Sequence, residues 1–222
     1  MRITRLVDLS VPVGPGTVVY PRDPVPAMSV HSTVARDGFN LLDVHLGSQS
    51  GTHVDAPYHF EDEAPRIDAV PLERFLGPAV VVDATTVGER GRITWDHVAP
   101  VADRLGEGVV VLLHTGWDER YGSPAYFANP FLDADACRRM LELGVRTFCI
   151  DAINLDETPD EDHPGEGFPV HHLIAQAGGV IGENFRHLGQ VDWQDPFVMC
   201  LPIALEGADG APVRAVAVQL VA

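Results

Sequence analysis

Gln49-Ser50-Gly51-Thr52-His53-Val54-Asp55-Ala56-Pro57-Tyr58-His59-Phe60 is the stretch on which the reading of this chain turns. In an extended conformation side chains alternate between faces, so Gln49, Gly51, His53 and Asp55 are expected on one side of a strand. Gly51 leaves room between them. Pro57 has no N–H to give a ladder, so the strand should end there and pass His59 to a loop beside the same cluster. A lone His-x-Asp pair is weak evidence for a metal site. The second imidazole strengthens it, because a carboxylate and two imidazoles beside an apolar run are costly to bury for packing alone.

Upstream, Met28 to Val34 and Leu41 to Leu46 read as two strands reversing around the turn dipeptide Asp37-Gly38, with Gly47 leading into the central stretch. Before them, Ile3 to Val13 alternates roughly as a half-buried strand does. An arm rich in proline follows (Pro12, Pro15, Pro21, Pro24, Pro26) and excludes a helix. Tyr20 lies on that arm and is a candidate for the mouth of a site.

Downstream the chain takes on a βα rhythm. Val70 to Phe75 suggests a short helix and Ala79 to Asp83 a strand. Thr94 is placed to cap a helical segment over Val98 to Leu105. Val109 to Leu113 is wholly apolar and rich in valine, as a strand covered on both faces would be. Asp133 and Asp135 open, and Gly144 closes, a helix over Ala136 to Leu143; Val145 to Ile150 returns as a strand. After an acidic loop from Asp156 to Gly167, a helix is expected from His171 to Ala177, then a short strand, Val180 to Asn184. The pattern is α/β with a mixed sheet, and without an evident seam residues 1–222 are expected to form a single domain.

The net charge is −17 and the sequence has no lysine, which argues against a nucleic-acid partner. Apolar runs stop well short of a membrane span, and the first residues lack the apolar core of a secretory signal, so a cytoplasmic enzyme is expected. Cys137, Cys149 and Cys200 show no paired spacing and are expected to be buried, free thiols.

A histidine that opens a helix, His171, and a glutamate on the next strand, Glu183, can converge on one point, although their spacing alone is weak evidence. Taken with His53-x-Asp55-Ala-Pro-x-His59-Phe60, they make the chain resemble the metal-dependent cyclase family that includes bacterial kynurenine formamidase (arylformamidase). Asp8-Leu9-Ser10, Tyr20-Pro21-Arg22-Asp23-Pro24, Thr115-Gly116-Trp117 and Ile150-Asp151-Ala152 extend the likeness over nearly the whole chain. The resemblance implies a swivelling β/β/α fold, a homodimer or higher homo-oligomer, and one or two divalent ions, zinc or manganese. It implies His53, Asp55, His171 and Glu183 as ligands, His59 as the catalytic acid and base, and Tyr20 and Phe60 near the substrate.

A further family ligand, a histidine, falls where this chain has Gln49. An amide oxygen is a weaker ligand than imidazole, so a second metal position is expected to be empty, weaker or differently filled. The activity implied is hydrolysis of a small aromatic amide such as N-formylkynurenine, giving kynurenine and formate. The alternatives are a cyclase, a dehydratase, a lactone or cyclic imide hydrolase, or a non-catalytic member of the family.

Overall fold

A computed structural model describes residues 2–221. The strands along the chain are β1 (Arg2–Asp8), β2 (Ala27–Ser32), β3 (Leu41–His45), β4 (His53–Asp55), β5 (Leu76–Asp83), β6 (Arg92–Ile93) and β7 (Val110–His114). They continue with β8 (Phe131–Leu132), β9 (Thr147–Ile150), β10 (Val180–Glu183), β11 (Phe197–Met199), β12 (Gly210–Pro212) and β13 (Val216–Val221). The helices are α1 (Val34–Asp37), α2 (Trp95–Val98), α3 (Ala134–Glu142) and α4 (Pro169–Gln176).

Nine strands form one mixed sheet in the order β1-β13-β11-β5-β7-β9-β10-β4-β12. Its centre, β5-β7-β9-β10, is parallel, and the strands added on either side are antiparallel. The central strands are apolar because both faces are covered. Along β7, Val111 and Leu113 pack into a core with Ala136, Cys137 and Met140 of α3 and Val170 and Ile174 of α4. Val110 and Leu112 point the other way, into a second core with Val198 and Ala217. Leu112 and Leu113 are fully buried, each contributing about 1.5–3 kcal/mol of transfer free energy.

Local chemistry sets the ends of these elements. The Asp133 carboxylate accepts from the backbone N–H of Asp135 (2.9 Å) and Ala136 (3.2 Å), which starts α3. Gly144, at φ +100°, turns the chain out of it. Apart from this sheet, β2 and β3 make an antiparallel hairpin whose Val30, Phe39, Leu41, Leu42 and Val44 are exposed.

The mixed α/β expectation holds, as do the hairpin, the buried strand at β7 and the three buried cysteines. Other boundaries differ. Val98 to Leu105 is no α-helix: α2 ends at Val98 and a 3-10 helix, Ala99–Arg104, follows, because Pro100 has no N–H to continue the α ladder. Leu72–Phe75, after Pro71, is also 3-10. The first strand stops at Asp8 and, as the sheet's edge, is largely exposed.

The central stretch is corrected too. Only His53–Asp55 is strand, so Gln49 and Gly51 do not share its face by alternation. Gly51 sits at φ +68°, and a Cβ there would lie 2.6 Å from a Val13 methyl, so the chain bends into β4 at a position that glycine alone fits.

Candidate functional site

The site forms where β4, β10 and the start of α4 meet. Glu183 pairs directly opposite His53 in the antiparallel register, which sets the two side chains on the same face. Asp55 follows two residues on, again on that face. His171 enters from the first turn of α4. His53, Asp55, His171 and Glu183 are all buried, between 3 and 6% exposed.

Three of these four side chains are aimed by a hydrogen bond. His53 donates from Nδ1 to the Gly51 carbonyl (2.8 Å), so its Nε2 lone pair faces the cluster. His171 Nδ1 meets Asp156 Oδ2 at 2.7 Å, and the same carboxylate accepts from the backbone N–H of Val170 and His171 at the start of α4. Glu183 Oε1 accepts from the Leu155 N–H at 2.8 Å.

The His53 Nε2 atom lies 3.5 Å from Asp55 Oδ1 and 3.6 Å from Glu183 Oε2. The His171 Nε2 atom meets the other oxygen of each carboxylate, at 3.7 Å from Asp55 Oδ2 and 3.3 Å from Glu183 Oε1. Tetrahedral ligands about 2.0–2.2 Å from one ion are about 3.3–3.6 Å apart, so these spacings suit a shared cation. Ligand atoms of His53, Asp55 and Glu183 lie within 4.8 Å of one another, and His171 stands just outside that group. Among the described residues Asp55 Oδ1 is buried with no hydrogen-bond partner, and burial raises the pKa of this carboxyl group. A divalent ion would supply the partner this atom lacks, and two imidazoles with two carboxylates are a donor set that suits zinc or manganese.

A cavity opens beside the cluster. Phe60 packs against His171 with ring centroids 4.6 Å apart, and Phe168 stands 5.6 Å from Phe60. Tyr20 closes the aromatic wall 6.3 Å from Phe168, so the proline-rich arm does reach the site. Burial pushes the Tyr20 phenol up to about 12, and its hydroxyl has no partner among the described residues. Asn154 lines the same space. Its Oδ1 accepts from the Asp156 N–H (3.1 Å), which fixes the amide, and its Nδ2 has no partner among the described residues.

His59 borders the cavity from a 3-10 turn, Pro57–His59, that follows β4. Its Nδ1 is 2.8 Å from Asp209 Oδ2. Gln49 also lines the cavity, reached through the bend at Gly51. Tyr20, Gln49, His53, Asp55, His59, Phe60, His171 and Glu183 thus all line this one cavity. His172, beside His171, is exposed and packs edge-on to Phe60. Asp156, Phe168, Asn154 and Asp209 were not singled out. Asp156 is one carboxylate in an acidic loop, and Asp209 is 150 residues from its partner in a Gly-Ala-Asp-Gly segment that reads as a turn.

Residues 7–157 match the family described as "Putative cyclase". The chain is 32% identical to the kynurenine formamidase of Bordetella petrii over 219 residues, covering 97% of this chain and 99% of that protein. It is 30% identical to the kynurenine formamidase of Paracidovorax citrulli, covering 95% of each. A solved structure described as a potential metal-dependent hydrolase with cyclase activity is similar at a TM-score of 0.78 and 27% identity, over 97% of this chain and 99% of that one. Isatin hydrolase A from Ralstonia solanacearum shares the fold, with a TM-score of 0.87 at 24% identity over 97% and 92%.

Proposed function

The chain belongs to the cyclase family, and from that premise we propose a metal-dependent hydrolase of small, non-peptide amides, with an aromatic amide such as an N-formyl arylamine as substrate. The observation that carries this reading is the group of His53, Asp55 and Glu183, whose ligand atoms lie within 4.8 Å of one another, with His171 Nε2 3.3 Å from Glu183 Oε1, beside a cavity walled by aromatic rings. A zinc or manganese ion on these four residues would polarise the scissile carbonyl and lower the pKa of a water.

The chain's own groups do the rest. His59 takes the proton of the attacking water at the ring nitrogen not engaged by Asp209. The water oxygen bonds to the carbonyl carbon, the C–N bond breaks, and His59 returns the proton to the departing nitrogen. An imidazole serves both directions near neutral pH. Tyr20, kept protonated, and Asn154 Nδ2 offer donors to substrate oxygens. Phe60 and Phe168 hold the aryl ring and exclude bulk water.

The names of the relatives support formamide hydrolysis over cyclisation, dehydration or a non-catalytic role. The reading extends to a cytoplasmic enzyme; among the described residues no helix is long and apolar enough to cross a membrane. It extends also to a homodimer in which the β2–β3 hairpin packs on a second copy. A two-stranded ribbon is marginal alone, and this one exposes Val30, Phe39, Leu41, Leu42 and Val44. Light scattering of the purified protein measures that state.

Elemental analysis of purified protein, with a panel of N-formyl arylamines and cyclic imides in labelled water, tests the activity. Stoichiometric zinc or manganese and solvent oxygen in a carboxylate product are expected. Metal-free protein active on the panel would overturn the reading.

A further inference from the structure

His59 does not stand alone at the rim of the cavity. Asp209 Oδ2 accepts from both His59 Nδ1 (2.8 Å) and Gln49 Nε2 (2.9 Å), while Asp209 Oδ1 accepts from Ser48 Oγ (2.8 Å). A carboxylate only accepts, so it fixes the direction of both neighbours. The Gln49 amide must turn its nitrogen towards Asp209. The His59 ring must carry its proton on Nδ1, which leaves Nε2 as the basic nitrogen.

The backbone holds the acceptor in place. The Asp209 carbonyl takes the Ala56 N–H at 2.8 Å, just past Asp55, and the neighbouring Ala208 carbonyl takes the Ile67 N–H at 2.9 Å. Gly210 lies opposite Asp55 in the β12–β4 register, and a Cβ there would fall 2.6 Å from Gln49 Nε2. The missing side chain is the space in which the amide lies. Gln49 Oε1 is buried and unpartnered on the other side of the amide.

We propose that Asp209, held by Gln49 and Ser48, is a positioning residue that locks His59 in the tautomer and orientation required for proton transfer, and that Gln49 serves this clamp rather than a metal. The inference rests on the hydrolytic reading and deepens it: the position at which the family resemblance places a further ligand works here on the acid–base histidine. A carboxylate behind a catalytic imidazole selects the tautomer and supports the charged ring without accepting its proton.

The test compares Gln49→Ala, Ser48→Ala, Asp209→Asn and Asp209→Glu with the parent protein, loaded with zinc. Ion content and KM should stay within about twofold in all of them. Turnover should fall about 100-fold in Asp209→Asn, about 10-fold in Gln49→Ala and about 3-fold in Ser48→Ala, with partial recovery in Asp209→Glu. Imidazole 15N NMR of the zinc-loaded parent should show His59 protonated on Nδ1, a signature lost in Asp209→Asn.

Loss of zinc in Gln49→Ala would make Gln49 a ligand and overturn the assignment. So would unchanged turnover in Asp209→Asn, or a neutral His59 with its single proton on Nε2 in the parent. If Asp209→Asn does not fold, the tautomer of the parent and the turnover of Ser48→Ala still decide. If no amide is hydrolysed at all, the hydrolytic reading fails, while the NMR and the zinc content of Gln49→Ala still judge the clamp.

Discussion

The metal-type cluster and the His59 rim are neighbours built in opposite ways. The cluster takes His53 and Asp55 from one strand, Glu183 from the strand paired with it and His171 from a helix, all nearly closed to solvent. The rim takes Gln49 and Ser48 from a bend, His59 from a 3-10 turn and Asp209 from a loop, with the His59 and Asp209 side chains 31% and 32% exposed. Regular elements hold atoms within the narrow tolerances of a coordination shell. Proton transfer needs a ring that reaches water and substrate, and a turn provides that access. The difference assigns holding to the sheet and moving to the rim, and it can be broken at either end.

The largest effect is expected in the cluster. Asp55→Ala should leave the protein without stoichiometric ion and without detectable hydrolysis, and chelation of the parent should do the same and lower its melting temperature. Elemental analysis with calorimetry reads both. An Asp55→Ala variant that keeps ion and activity would remove the distinction between the two regions. Next comes His59→Ala, which should keep its ion and lose about 10²- to 10⁴-fold in turnover. Ion loss in that variant would instead join His59 to the cluster.

How far the sequence reached follows the same division. The His53-x-Asp55 spacing places both residues on one face of any strand, and apolar runs such as Val110 to Leu113 announce the sheet that carries them. That is information of short range. Gln49 was expected on the face of β4 because the positive φ of Gly51 is not visible in a pattern of alternation; the bend depends on the packing of Val13 against it. Asp209 and Asp156 could not be chosen among 32 acidic residues, since what marks them is a partner brought close by the fold.

Asp156 supplies a smaller, sharper test of the cluster. Its carboxylate serves the N–H groups at the start of α4 and His171 Nδ1 together, so Asp156→Asn should turn His171 without removing a ligand. A loss of about 10- to 100-fold in metal affinity is expected by competition with a chelator, which is the usual cost of removing such a support. Unchanged affinity would show that the helix alone aims His171.

The smallest effect belongs to the rim and appears in stability against pH. The bond from His59, helped by Gln49 and Ser48, holds the Asp209 carboxyl well below its ordinary 3.8 although burial works against it. Burial opposes the charge on His59, but the bond to Asp209 and the nearby charge of Asp55 outweigh it, and even with His171 as an opposing neighbour its pKa is raised from the ordinary 6.5. The lowered Asp209 contributes stability that is present above about pH 3.8 and lost as pH falls through its depressed value. The raised His59 contributes stability that is complete below about pH 6.5 and lost as pH rises through its elevated value. The two overlap between those limits, so the gap in melting temperature between the parent and Asp209→Asn should be widest near pH 5 to 6 and should narrow towards pH 9. Because the pair is partly open to water, the gap should correspond to no more than about 1 kcal/mol. A gap that stays flat with pH would mean that Asp209 supports the loop through Ser48 and the backbone alone, and that the rim is as static as the cluster.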